Sequence, residues 1–267
     1  MKKTKNYHAY TQYDKEPSGL KRLNFIAREV KKFAEKSELK SLKILDVGCG
    51  NGNISIPLAS LGYEITGIDI DLKSVEHAKQ NNPFKNAQFI VGDVEKDVPE
   101  NNFDIIICSE ILEHLNSPSE MLKYLKSKLN PAGLLLVTVP NGYGPFGLVD
   151  LLVRVLRKVG FAKAIDFLRG SVHETYEHIQ SSDSATYHTQ NFTMGRMRKL
   201  LDESNFKINR AVNSNFLFGV PPLYFPFGRG SATFNFLDEL DCKVADFLPH
   251  LLASGWYFAC SIGEQKR

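Results

Sequence analysis

The chain has 267 residues, 43% of them hydrophobic, and a formal net charge of +3. That suits one elaborated α/β domain and is too mild a charge to mark a nucleic-acid protein by electrostatics alone. Residues 1–6 are basic but lead into tyrosine and polar residues, and no run nears about eighteen apolar residues, so neither a signal peptide nor a membrane span is expected. Cys49, Cys108, Cys242 and Cys260 show no CxxC spacing and read as reduced thiols of a cytoplasmic protein.

The first periodic segment places Leu20, Leu23, Ala27, Val30 and Ala34 at helical spacing behind Ser18 as a cap. Tyr7, Tyr10 and Tyr13 precede it at every third residue. Alternation then sets in: strand 43–47, a helix near 53–61, strand 64–69, helix 72–81, strand 87–91 and strand 103–108. Ser117-Pro118-Ser119-Glu120 offers a cap, a proline at the first helical position and a glutamate placed for a capping box. The helix it opens turns Met121, Leu122, Leu125 and Leu129 inward. Pro131 and Gly133 end it, and 134–139 reads as a fifth strand, apolar as a central parallel strand should be. Alternating strands and helices imply right-handed crossovers and a parallel sheet.

The pattern breaks at the turn cluster 140–145. Leu148, Leu151, Leu152, Val155, Leu156 and Val159 then line one helical face opposite Arg154, Arg157 and Lys158. Such a helix suits a membrane surface, its own domain or a dimer partner. A polar stretch with His173 and His178 follows. Thr193 reads as the cap of a helix carrying Met194, Met197, Leu200 and Leu201, and strands 206–212 and 255–262 close the chain. Between them, 216–227 is too aromatic for a disordered linker.

The chemistry concentrates at residues 44–52, Ile-Leu-Asp-Val-Gly-Cys-Gly-Asn-Gly, a strand that enters a turn with Gly48, Gly50 and Gly52. Alternate glycines let the backbone pass close to a ligand. The next strand ends at Asp69, about twenty residues on, where an acid meets ribose hydroxyls at the switch point of a doubly wound sheet. Dinucleotide sites use Gly-x-Gly-x-x-Gly. Here the spacing is Gly-x-Gly-x-Gly with Asp46 before it, a carboxylate that repels a pyrophosphate and suits an ammonium group.

With Val91-Gly92-Asp93 and residues 103–110 in the same order, the chain resembles class I S-adenosyl-L-methionine (SAM) methyltransferases. The resemblance covers 40–140 by motif and 190–212 by pattern. It implies a Rossmann-like, seven-stranded, mostly parallel sheet flanked by helices in a single domain. The core would span about 40–142 and 190–267, with lid insertions at about 143–190 and 213–254. It implies that Asp46, Gly48, Gly50 and Gly52 hold the methionine end, Asp69 the ribose and Ile70 the adenine. Asp93, within Gly92-Asp93-Val94, would accept from the adenine amino group, and Ser109 and Glu110 would lie near the sulfonium. The N-terminal aromatics would close over the cofactor; a surface-packed tail is the alternative.

Glu110-Ile111-Leu112-Glu113-His114 places Glu110, Glu113 and His114 at i, i+3 and i+4, one face of a helix. The segment is similar to ubiquinone-pathway O-methyltransferases and to the 2′-O-methyltransferases of small-RNA 3′ ends, in which it can hold a divalent cation, with His188 as a downstream fourth ligand. Without metal, the carboxylates would serve as N-terminal helix charges, and His114 and His188 would line the acceptor pocket, His188 as a general base. The favoured function is O-methylation of a small or carrier-linked acceptor, such as a quinone precursor, sugar or glycolipid. Alternatives are 2′-O-methylation of an RNA end and a non-catalytic SAM- or partner-binding module. No nucleic-acid partner is favoured; peripheral membrane contact and a homodimer stay open.

Overall fold

Strand side chains alternate between two faces, so a sheet covered by helices on both sides needs apolar residues at successive positions. The computed structural model describes residues 7–11, 15–37, 39, 41–99, 102–145, 155–161, 189–217 and 231–263. Its strands are β1 (Lys43–Val47), β2 (Glu64–Asp69), β3 (Ala87–Val91), β4 (Phe103–Ser109), β5 (Leu129–Pro140), β6 (Phe206–Asn213) and β7 (Gly255–Ile262). They form a seven-stranded sheet in the order β3-β2-β1-β4-β5-β7-β6. The first five are parallel, and β7 runs antiparallel to both neighbours.

The helices are α1 (Pro17–Ser37), α2 (Ser55–Ser60), α3 (Leu72–Asn81), α4 (Val94–Asp97), α5 (Pro118–Lys128), α6 (Met194–Glu203) and α7 (Ala232–Ala245). One face of the sheet packs Ile44, Ile105, Ile107 and Leu136 with Ile26 and Val30 of α1 and Leu58 of α2. The other packs Leu45, Ile106, Leu135 and Phe258 with Leu122 and Leu125 of α5 and Met197 and Leu201 of α6. Each such side chain contributes about 1.5–3 kcal/mol when buried. The chain winds outward from β1 on both sides, so the crevice at the carboxyl ends of β1 and β4 is the switch point.

Several caps differ from the sequence expectation. Ser117 and Pro118 do open α5, but the Ser117 side chain makes no cap bond, and its carbonyl instead receives the Glu120 N–H at 3.1 Å. Ser18 lies inside α1, and its N–H donates to Asp238 Oδ2 of α7 at 2.8 Å. Thr193 caps α6 as expected, accepting from the Arg196 N–H at 3.1 Å. β5 begins at Leu129, before Pro131, which stands near the strand's start, where a missing donor is tolerated.

Tyr7 donates to Asn24 Oδ1 at 2.6 Å, and Tyr10 meets the Phe84 ring edge-on at 4.9 Å. Phe84 precedes β3, so these rings sit toward the amino ends of the strands, packed on the surface and away from the crevice. Tyr13, residues 148–154, His173, His178 and His188 lie outside the described residues. So does most of the expected insertion 143–190.

Candidate active site

All three turn glycines have left-handed backbones, with φ of +66° at Gly48, +48° at Gly50 and +79° at Gly52, a region side chains disfavour. Their reasons differ. A Cβ on Gly48 would lie 2.0 Å from Ile111 Cδ1, and one on Gly52 2.9 Å from Ile56 Cδ1. A Cβ on Gly50 would meet nothing within 4 Å. Gly48 and Gly52 are therefore demanded by internal packing, and Gly50 is the position that presents bare backbone to open space.

Asp69 braces this turn from the tip of β2. Its Oδ2 accepts the Gly50 N–H at 2.8 Å and its Oδ1 the Asp71 N–H at 2.9 Å, leaving further lone pairs on each oxygen. Ile70 beside it is 72% exposed, and Leu72 and Val91 are exposed at the same edge. The sequence reading did not single out Leu72. Asp93 turns toward its own helix, capping α4 through the Glu95 N–H at 3.0 Å and pairing with Lys96 Nζ at 2.7 Å. The Lys96 and Glu95 bonds hold its carboxyl below the usual carboxylate range. Val94 is buried in the core under α4, so its side chain faces away from the crevice.

Asp46 is buried below the turn, with Ser55 Oγ donating to its Oδ2 at 2.6 Å. Burial pushes its pKa up to about 7; the Ser55 bond opposes this, Asp69 adds to it and Arg22 of α1 opposes it. Arg22 is the residue the sequence reading missed. It stands half-buried beside the apolar stripe of α1 at Leu23, at the cavity it shares with Glu110, and it lowers the cost of ionising both Asp46 and Glu113. Glu16 just before α1, Ser18 and Arg22 on it, Glu110 after β4, Ser214 and Tyr257 line a cavity of about 200 Å³ at the carboxyl edge. A larger groove of about 1150 Å³, bounded by α1, β6 and α7, contains none of the expected site residues.

Glu110 has φ +57° and stands outside the short 3-10 turn Leu112–His114, so the expected single helical face of Glu110, Glu113 and His114 does not form. The backbone bends sharply there to bury Leu112 and Glu113. Thr138, the polar residue of the 134–139 run, donates to Glu110 Oε1 at 2.7 Å and shares a bond with Ser109 Oγ at 2.8 Å. Glu113 is 1% exposed, its Oε2 has no hydrogen-bond partner, and burial with the charge of Glu110 pushes its pKa up to about 9. His114 Nε2 lies 3.8 Å from Glu113 Oε1. Among the described residues no three or more His, Cys, Asp or Glu side chains are grouped to hold a metal ion. A carboxyl kept protonated is also a poor ligand. Glu110, Glu113 and His114 as arranged here do not fit a cation, and His188 lies outside the described residues. What the crevice offers is bare backbone at Gly50 beside the half-buried carboxylates of Asp69 and Glu110, suited to a ligand with hydroxyl and amine groups.

The profile of a methyltransferase domain matches residues 19–211. The ubiquinone biosynthesis O-methyltransferase of Schizosaccharomyces pombe mitochondria is 35% identical over 111 residues, 40% of this chain and 40% of that protein. The corresponding protein of Rickettsia akari is 31% identical over 124 residues, 45% of this chain and 48% of its own length. The chain thus spans less than half the length of these curated relatives. Among solved structures, magnesium protoporphyrin IX methyltransferase of Synechocystis PCC 6803 with bound S-adenosylhomocysteine superposes with a TM-score of 0.55 at 18% identity. It covers 92% of this chain and 84% of that one, a likeness of fold. The profile match spans most of the chain and takes in the glycine turn, Asp69 and the Glu110–His114 segment, and with it the chain belongs to the class I SAM-dependent methyltransferase family.

Proposed function

We propose that the protein transfers the methyl group of SAM to an oxygen of a small or carrier-linked acceptor, a quinone precursor, sugar or glycolipid. The observation that carries this is the pairing of Gly50, open and left-handed, with Asp69, whose carboxylate is already braced on its N–H. In this reading Asp46 and the turn take the methionine ammonium, Arg22 its carboxylate, Asp69 the ribose diol and Ile70 one face of the adenine. Asp93 would reach the adenine amino group only by loosening its bond to Lys96, and Val94 would contribute backbone alone.

SAM supplies an activated methyl group, so the protein's task is alignment and exclusion of water. The acceptor oxygen forms a bond to the methyl carbon as the carbon–sulfur bond breaks, and the hydroxyl proton leaves to a base. In this reading His114, partly exposed beside Glu113, takes that proton; His188 keeps the role as a sequence-based alternative. The cavity between Arg22 and Glu110 is the acceptor's place, and its polar lining favours a hydroxylated head group. The names of the relatives favour a quinone precursor. Work in the cytoplasm is part of the proposal: the four cysteines are free and buried, and no helix among the described residues is long and apolar enough to cross a membrane.

Incubation of the protein and labelled SAM with cell extract tests this. Label in lipid or small hydroxylated metabolites is expected. Label in RNA alone, or none, would remove the acceptor reading.

A further inference from the structure

We infer that the exposed face of α7 is a two-fold contact between copies of this chain. Phe236, Leu240 and Val244 recur at i, i+4 and i+8 on one stripe of α7, and Phe247, in the turn two residues past its end, extends that stripe with its N–H on the Val244 carbonyl at 3.0 Å. They are 66%, 49%, 41% and 89% exposed. Leu251 and Leu252 continue the exposed apolar surface past the helix end. The opposite face of α7, with Phe234, Asp238, Asp241, Cys242 and Ala245, is buried against its own chain. Clustered apolar exposure of this kind on a helix marks an interaction site.

The order of residues along the stripe names the occupant. Phe236 and Val244 lie eight residues, roughly 12 Å, apart on the axis of α7, and Phe247 follows in the next turn. A second α7 laid antiparallel about the midpoint of Phe236 and Phe247 brings Phe236 level with the partner subunit's Phe247, and Leu240 within one residue of the partner subunit's Val244. The same operation brings Glu239 within one residue of the partner subunit's Lys243. Glu239 and Lys243 already form an exposed pair at 2.8 Å within one helix, so the two copies meet as an alternating set of four charges along the apolar seam. Self-complementarity under a two-fold is what an isologous interface requires. A bilayer is the poorer occupant. Interfacial helices carry lysine and arginine on the polar face, whereas here Glu239 and Asp246 flank the stripe with Lys243 between them. Four residues a side is a small contact, so the dimer should exchange with monomer in the micromolar range.

Sedimentation of the full chain across that range is the test, with Leu240→Glu and Phe247→Ser as variants at exposed positions. The wild type sediments toward a dimer. Each variant, with unchanged circular dichroism and melting, weakens association about tenfold or more, because a carboxylate or hydroxyl replaces an apolar contact. Glu239→Lys alone weakens the dimer, and adding Lys243→Glu restores it. A wild type that stays monomeric throughout, or a dimer indifferent to both apolar substitutions, overturns the inference. So does flotation of a monomeric wild type with phosphatidylglycerol vesicles that Leu240→Glu abolishes, which assigns the face to a bilayer instead.

Discussion

Two regions of this molecule bury carboxylates to opposite ends. On α7, Asp238 accepts the Ser18 N–H at 2.8 Å, and Asp241 accepts those of Phe216 and Leu217 at 2.8 and 2.9 Å. Each is matched to backbone donors and ties a distant segment to the helix. Around the crevice, Asp46 and Glu113 are just as buried, yet their pKa values rise to about 7 and about 9, and Glu113 keeps an oxygen without a partner. A buried acid that fixes structure has its lone pairs filled by N–H groups. An acid whose charge is left unmatched marks where an outside group, here a cationic cofactor, gains most by arriving.

The largest test of that contrast is the pH dependence of Glu113. Its pKa lies at about 9 in the fold, above the ordinary 4.5, so the folded chain holds a proton that the unfolded chain releases. Stability is highest below about 4.5 and falls as pH climbs to about 9, by an amount of order a few kcal/mol. Glu113→Gln should be more stable than wild type at neutral and alkaline pH and should flatten that fall, as denaturant titrations at several pH values will show. An unchanged slope would mean that Glu113 is matched like the acids of α7.

Asp238→Ala sharpens the other side. It leaves the Ser18 N–H without its acceptor and should cost about 1–3 kcal/mol in denaturant unfolding. A variant as stable as the wild type would show that Asp238 does not tie α1 to α7 and would erase the distinction. The smallest effect is expected for Thr138→Val, which removes the hydroxyl linking Ser109 and Glu110. Loss of about 1 kcal/mol of stability is expected, with weakened turnover as Glu110 loses its orientation. Full turnover in that variant would separate Glu110 from the reaction.

Much of the fold could be read from local pattern. The strands 43–47, 64–69, 87–91 and 255–262 and the helix 72–81 stand at their expected boundaries, the strands because each is a mainly apolar run, the helix because Asp71 caps it and Leu72, Val75 and Ala78 recur at helical spacing. The Gly-x-Gly-x-Gly turn and Asp69 were legible for the same reason, since a short turn and the next strand specify each other. What escaped depends on partners far along the chain. α7 lay inside a stretch read as a lid insertion, and its buried aspartates serve Ser18, 220 residues away, and Phe216. Arg22 looked like one more charge on an amphipathic helix until the fold set it at the cavity beside Glu110. The 110–114 segment misled because its helical spacing was genuine, while Glu110 at φ +57° breaks the helix before it starts.

Calorimetric titration of S-adenosylhomocysteine into wild type and Asp69→Ala tests the central claim most directly. The carboxylate that braces Gly50 is also the proposed ribose acceptor, and charge-assisted bonds contribute about 1.5–3 kcal/mol each. Wild type should bind at one site, and the folded Asp69→Ala protein should bind at least about tenfold more weakly. No binding to wild type, or equal affinity in both, would contradict the assignment of the crevice as a SAM site.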